Sequence, residues 1–74
     1  MCLAIPARIV SVQENDGWRS AVATVDGVER AVDLTLTPEA TVGDFIVTHA
    51  GFAISMLPPD RAVETMKMLG LDPE

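Results

Sequence analysis

Cysteine is nearly absent from this chain of 74 residues, in which Cys2 is the only one. A single cysteine excludes an internal disulfide. Together with the single histidine, His49, it cannot complete a four-ligand structural zinc site. A lone thiol is typical of a protein kept in a reducing compartment and not of a secreted scaffold built on disulfides.

Long apolar runs are absent as well. No stretch reaches the roughly 18 apolar residues of a membrane span, and the first residues lack the basic start and apolar run of a signal peptide. We therefore expect a cytoplasmic protein without a membrane partner.

Basic residues are scarce, with five against eleven acidic residues and a net charge of −6. They are scattered singly, whereas nucleic-acid binding depends on clustered Lys and Arg. The composition therefore argues against nucleic acid as a partner.

Apolar residues make up 49% of a chain whose interior is small. Some of them should lie in exposed patches that mark protein partners.

Alternating, β-branched segments predict five strands, over 7–13, 19–25, 28–34, 44–49 and 52–57. Asp26-Gly27 between the second and third strands predicts a two-residue hairpin, because type I′ turns need positive φ at both central residues. At Ala50-Gly51 the glycine favours a bulge or a close backbone approach over a clean hairpin. Five short strands without intervening helices indicate a mainly β fold, a small five-stranded barrel that is closed or nearly closed.

A helix is expected over about 59–69, because Pro59 favours a helix start, Asp60 places negative charge in the first turn and Gly70 supplies a stop. Its apolar face would consist of Ala62, Val63, Met66 and Leu69. This face either packs across the barrel or leaves Met66 and Met68 partly to a partner. We expect one domain over 1–74, with the barrel at about 4–57.

The two residues that can carry chemistry are Cys2 and His49. Removal of Met1 would leave an α-amino group that favours the Cys2 thiolate, although an incidental buried cysteine is the alternative. His49 closes the fourth strand. In a Greek-key barrel the first strand commonly neighbours the fourth, so both residues would meet at one rim.

Such a pair could be a catalytic dyad or could ligate a metal. The dyad lacks an oxyanion element and an obvious orienting group, although Asp33 or Asp44 could serve. A thiolate with an imidazole suits iron or copper. We expect no enzymatic activity from the chain alone.

Two motifs carry a family resemblance, Met1-Cys2-Leu3-Ala4-Ile5-Pro6 and Val42-Gly43-Asp44-Phe45-Ile46-Val47-Thr48-His49-Ala50-Gly51-Phe52-Ala53-Ile54. At this spacing the chain resembles the HypC/HupF family of nickel–iron hydrogenase maturation chaperones over its whole length. The resemblance implies an OB-like β-barrel with a C-terminal helix.

The resemblance also implies a function. Family members carry iron as Fe(CN)2CO, transiently bound, from a HypD-type scaffold protein to the precursor of the hydrogenase large subunit. Cys2 would be essential for iron and partner binding, and His49 would be a second ligand or would tune the thiolate. The partner-binding segment would be Cys2, Leu3, Ala4, Ile5 and Pro6. The alternative is a metal-free OB-type adaptor that binds proteins and has a redox-active Cys2.

Overall fold

Five strands and one helix make up the fold in the computed structural model, which describes residues 4–71. In chain order they are β1 (Ile5–Asn15), β2 (Trp18–Val25), β3 (Val28–Asp33), β4 (Phe45–His49), β5 (Phe52–Leu57) and α1 (Pro59–Met68). The strands close into a barrel in the order β1-β2-β3-β5-β4. The predicted mainly β fold, a five-stranded barrel with a C-terminal helix, is confirmed.

Three hairpins of the barrel share one turn geometry. Asp16-Gly17, Asp26-Gly27 and Ala50-Gly51 each place two residues at positive φ between directly paired strand ends, as in a type I′ turn. The predicted Asp26-Gly27 hairpin is therefore confirmed. The bulge expected at Ala50-Gly51 is wrong, because the turn is clean, whereas the close backbone approach is confirmed, since the Asp33 N–H donates to the Gly51 carbonyl at 2.9 Å. The bulge of this hairpin lies further along, where Ile54 has no partner in β4.

β1 is the longest strand and connects two sheet neighbours. Its first residues pair with β4, from Ile5 to Arg8, and Arg8 to Asn15 pair with β2. The register to β2 shifts between Ile9 and Ser11, so Val10 is a bulge. An extra residue bends a strand and increases its twist, which lets β1 curve around the barrel.

Small side chains fill the barrel interior. Its main cluster consists of Ala7, Ile9, Ala21, Ala23, Val32, Leu34, Ala40, Ile46 and Ala53. Five of these nine residues are alanines, which suits the narrow interior of a barrel with only five strands. The larger Ile9, Leu34 and Ile46 are fully buried and supply most of the apolar area of the core.

Helix α1 covers one side of the barrel through Met66, which packs with Ala62 against Phe45. The helix ends in a Schellman motif: the N–H of Gly70 donates to the Lys67 carbonyl and that of Leu71 to the Met66 carbonyl.

The motif corrects the predicted apolar face, because Leu69 is exposed and Leu71 packs in its place. Packing across the barrel is confirmed for Met66, whereas Met68 is exposed. Across residues 4–71, no helix has the length and apolar character needed to span a bilayer.

Candidate functional site

One end of the barrel opens into a hollow of about 430 Å³. It lies between the start of β1, the start of β3 and the β4–β5 turn, and its lining includes Ile5, Val28, Arg30, Thr48, His49 and Ala50. We call this feature the rim hollow. It is the place where the predicted functional histidine meets the start of the first strand.

His49 is the last residue of β4 and pairs with Phe52 across the Ala50-Gly51 turn. The two turn residues have φ of 55° and 85°, so a tight hairpin fixes the backbone on which His49 stands. The His49 side chain itself is exposed. An imidazole in this setting has a ring nitrogen accessible to a metal or to a second protein.

The start of β1 lies directly beside His49. β1 and β4 are antiparallel, and Ile5 is the partner of Thr48, the residue that precedes His49. The Thr48 hydroxyl also donates a hydrogen bond of 3.1 Å to the Ile5 carbonyl in a partly buried position. The predicted proximity of the first and fourth strands is thus confirmed, and it sets the start of β1 at the rim.

The predicted partner-binding segment falls partly outside the described residues. Cys2 and Leu3 lie there, and their assigned roles stay predictions. Ala4 is exposed at the rim, Ile5 is half-buried in the rim hollow and Pro6 is buried in the barrel wall. Of this segment within residues 4–71, Ala4 has the side chain most open to a partner.

The two carboxylates considered as orienting groups for His49 are engaged elsewhere. The Asp33 carboxylate accepts hydrogen bonds from the hydroxyl and the backbone N–H of Thr35, and these bonds lower its pKa below the ordinary value. The Asp44 carboxylate accepts from the backbone N–H of Thr41. Within the described range, no three His, Cys, Asp or Glu side chains gather as a metal-binding group.

Arg30 is a site residue that the sequence reasoning missed. It pairs with Ala23 three residues after the Asp26-Gly27 turn, and it lines the rim hollow together with His49. A guanidinium offers five N–H donors and a fixed positive charge to an anionic group bound there. The sequence does offer one signal, because Arg30 lies two positions before Val32 and so shares its face of β3, the face that is buried at Val32. Only the barrel topology brings this strand close to His49.

Comparison with known proteins gives a consistent result. A sequence model of the HupF/HypC family matches residues 1–69. The chain is similar to hydrogenase maturation factor HypC of Cupriavidus necator, with 38% identity over 68 residues, 92% of this chain and 72% of that protein. It is 37% identical over 68 residues to HypC of Synechocystis sp., covering 89% and 90% of the two chains. Hydrogenase maturation factor HybG of Escherichia coli is 32% identical over 73 residues, covering 93% and 88%.

Proposed function

Because this chain belongs to the HupF/HypC family, we propose that it is a non-enzymatic carrier for nickel–iron hydrogenase maturation. Its cargo is iron as Fe(CN)2CO, bound transiently. The carrier receives this cargo at a HypD-type scaffold protein and hands it to the precursor of the hydrogenase large subunit. Free thiols persist in reducing compartments, so the carrier we propose acts in the cytoplasm.

The observation that carries the proposal is the pairing of Ile5 with Thr48. Cys2 precedes Ile5 by three positions in the sequence, and three Cα-to-Cα steps span at most about 11 Å when the chain is extended. The thiol is therefore tethered within a short reach of His49, which follows Thr48. A thiolate and an imidazole within reach of one another are a donor pair suited to iron.

The same arrangement favours release as well as binding. Two protein donors leave most positions around the iron to its cyanide and carbon monoxide ligands, so a partner that offers more thiolates can take the iron over. Cyanide ligands are hydrogen-bond acceptors that carry negative charge. Arg30, which shares the rim hollow with His49, offers donors and a compensating charge to such a ligand.

Infrared spectroscopy of anaerobically purified protein, produced together with its maturation partners, tests the proposal. Metal-bound carbon monoxide and cyanide give stretching bands in a window free of protein absorption. We expect these bands in the unmodified chain and their loss in Cys2→Ala. In His49→Ala we expect loss of the bands if the imidazole ligates iron, and shifted bands if it tunes the thiolate.

Asn15→Ala is the matched control for His49→Ala. Asn15 is exposed and precedes the Asp16-Gly17 turn, as His49 precedes Ala50-Gly51. It stands on another hairpin, so Asn15→Ala should keep the bands unchanged. An unmodified chain that binds its partners but shows no bands would contradict the carrier and favour a metal-free adaptor with a redox-active Cys2.

A further inference from the structure

Among residues 4–71, most of β3 has a partner strand on one side only. Along its first side it pairs with β2 over its whole length, from Val28 to Asp33. Along its second side, within residues 4–71, its pairing with β5 is limited to Asp33 opposite Phe52. The stretch 28–31 is exposed. A row of strand backbone there is open to pairing with another chain.

The hydrogen-bond alternation of β3 identifies which backbone groups face this open edge. The residues flanking a two-residue hairpin turn form a hydrogen-bonded pair, so Val28 and every second residue after it bond to β2. On the side of β2, the N–H of Leu34 accordingly donates to the Arg19 carbonyl at 3.0 Å. On the opposite side of the strand, the N–H of Asp33 donates to the Gly51 carbonyl at 2.9 Å. By the same alternation, Glu29 and Ala31 point their N–H and C=O groups at the open edge.

A groove of about 360 Å³ runs along this edge. Ala7 and Ala23 of the barrel interior are among its lining, and Thr48 and Gly51 line it on the side of the β4–β5 hairpin. We call it the edge groove. It shares Thr48, Gly51 and Arg30 with the rim hollow, so the two form a continuous surface. Its small side chains leave room for an apolar side chain from a paired strand.

A second copy of this chain is a poor occupant of the edge. Three antiparallel registers would bring the edge-facing groups of two copies together. They set Glu29 opposite Glu29, Arg30 opposite Arg30, or Glu29 opposite Asp33. Like charges directly opposite one another destabilise a strand pair. The edge therefore disfavours self-pairing and fits a strand that carries a basic residue opposite Glu29.

We propose that the β3 edge binds an extended segment of a partner protein by strand addition. The segment pairs its backbone with Glu29 and Ala31, places a Lys or Arg opposite Glu29 and seats an aliphatic side chain in the edge groove. A strand bound in this way would also lie against the rim that holds His49. The inference is independent of the proposed cargo, because it rests on backbone groups and charges of β3.

The probe is the peptide acetyl-Thr-Val-Lys-Val-amide, whose residues run antiparallel to β3 opposite 31, 30, 29 and 28. Amide hydrogen exchange of the full chain, read by NMR, reports the pairing residue by residue. In the free protein we expect fast exchange at Glu29 and Ala31 and slow exchange at Arg30 and Val32. At a peptide concentration of about ten times its Kd, amide exchange at Glu29 and Ala31 should be about tenfold slower.

Backbone methylation of the Thr and Lys residues of the probe gives the matched control peptide. It keeps the side chains but removes the donors to β3, and it should lose the protection. Strand addition would be overturned if both peptides protected Glu29 and Ala31 equally. It would also be overturned if the unmethylated probe gave no protection of these amides at its solubility limit. Protection at Glu29 and Ala31 that grows with protein concentration, without peptide, would indicate a second copy and overturn the partner assignment.

A charge swap tests the register without altering the backbone. Glu29→Lys should lower the affinity for the Lys peptide by about fivefold. This variant should bind acetyl-Thr-Val-Glu-Val-amide more tightly than it binds the Lys peptide.

Ala31→Pro tests the backbone pairing, because it removes an N–H that faces the edge. It should abolish binding of the Lys peptide, and slow amide exchange at Arg30 would show that the β2–β3 pairing of this variant is intact. Unchanged binding in both variants would contradict the proposal.

Discussion

Ala50 is the residue whose substitution tests the rim most directly. It has a φ of 55°, in the left-handed region, and it occupies the turn position that Asp16 and Asp26 hold in the other two hairpins. A non-glycine residue in this region costs about 1–2 kcal/mol, and Asn or Asp reduces that cost through local hydrogen bonds. Ala50→Asn should therefore stabilise the fold by about 1 kcal/mol.

Thermal and urea unfolding measure this effect. For a chain of this size, 1 kcal/mol corresponds to a rise in Tm of about 4–8 °C. With a urea dependence of about 1 kcal/mol per molar, the midpoint should rise by about 1 M with an unchanged slope. Asp16→Ala is the reciprocal control. It places an alanine at a φ of 50° in the β1–β2 turn and should destabilise by a similar amount.

The pair of variants separates turn strain from other effects. If Asp16→Ala lowers Tm and Ala50→Asn leaves it unchanged or lowers it, Ala50 does not bear the strain deduced from its φ. That result would contradict the conformation described for the tight β4–β5 turn that positions His49.

Three further predictions concern the core, a buried hydroxyl and pH. Met66 is 2% exposed, and Met66→Ala should lower the free energy of unfolding, measured in urea, by about 2–5 kcal/mol. Met68 is 80% exposed, and Met68→Ala should change the same quantity by less than about 0.5 kcal/mol. Thr37 is buried with a hydroxyl that has no hydrogen-bond partner within residues 4–71, so Thr37→Val should raise stability by about 1 kcal/mol in the same assay. Thr35→Val removes the hydroxyl that does most to lower the Asp33 pKa, so an NMR titration should show that pKa rising towards 3.8. Because the folded pKa is lowered, the stabilisation is present above pH 3.8 and is lost as pH falls through the folded pKa, so the stability difference between the two chains should shrink in acid.

The sequence pattern predicted the strands well because alternation and turn chemistry are local. Asp26-Gly27 has a residue at each position that tolerates positive φ, so its hairpin could be recognised. Ala50-Gly51 could not, because alanine has no local preference for that conformation. There the pairing of β4 with both β1 and β5 overrides the propensity of one residue.

The helix end was only partly predictable for a related reason. Gly70 signals a stop, but helical spacing extends the apolar face to Leu69. The Schellman motif instead turns the chain so that Leu71 packs with Met66. The position of Arg30 in the site depended on topology, because no local pattern places the start of β3 beside the end of β4.

The open β3 edge and the placement of His49 have one geometric origin. β3 and β5 run parallel, yet they meet only where β3 ends at Asp33 and β5 begins at Phe52, so β5 extends away from the rest of β3. Covering the edge would require a longer β4–β5 hairpin whose turn passes beyond Gly51. The last residue of β4 would then move away from Ile5, because the register from Ile5 to Thr48 is fixed. A rim that holds His49 beside the start of β1 therefore requires a short hairpin, and a short hairpin leaves Glu29 and Ala31 available to a partner strand.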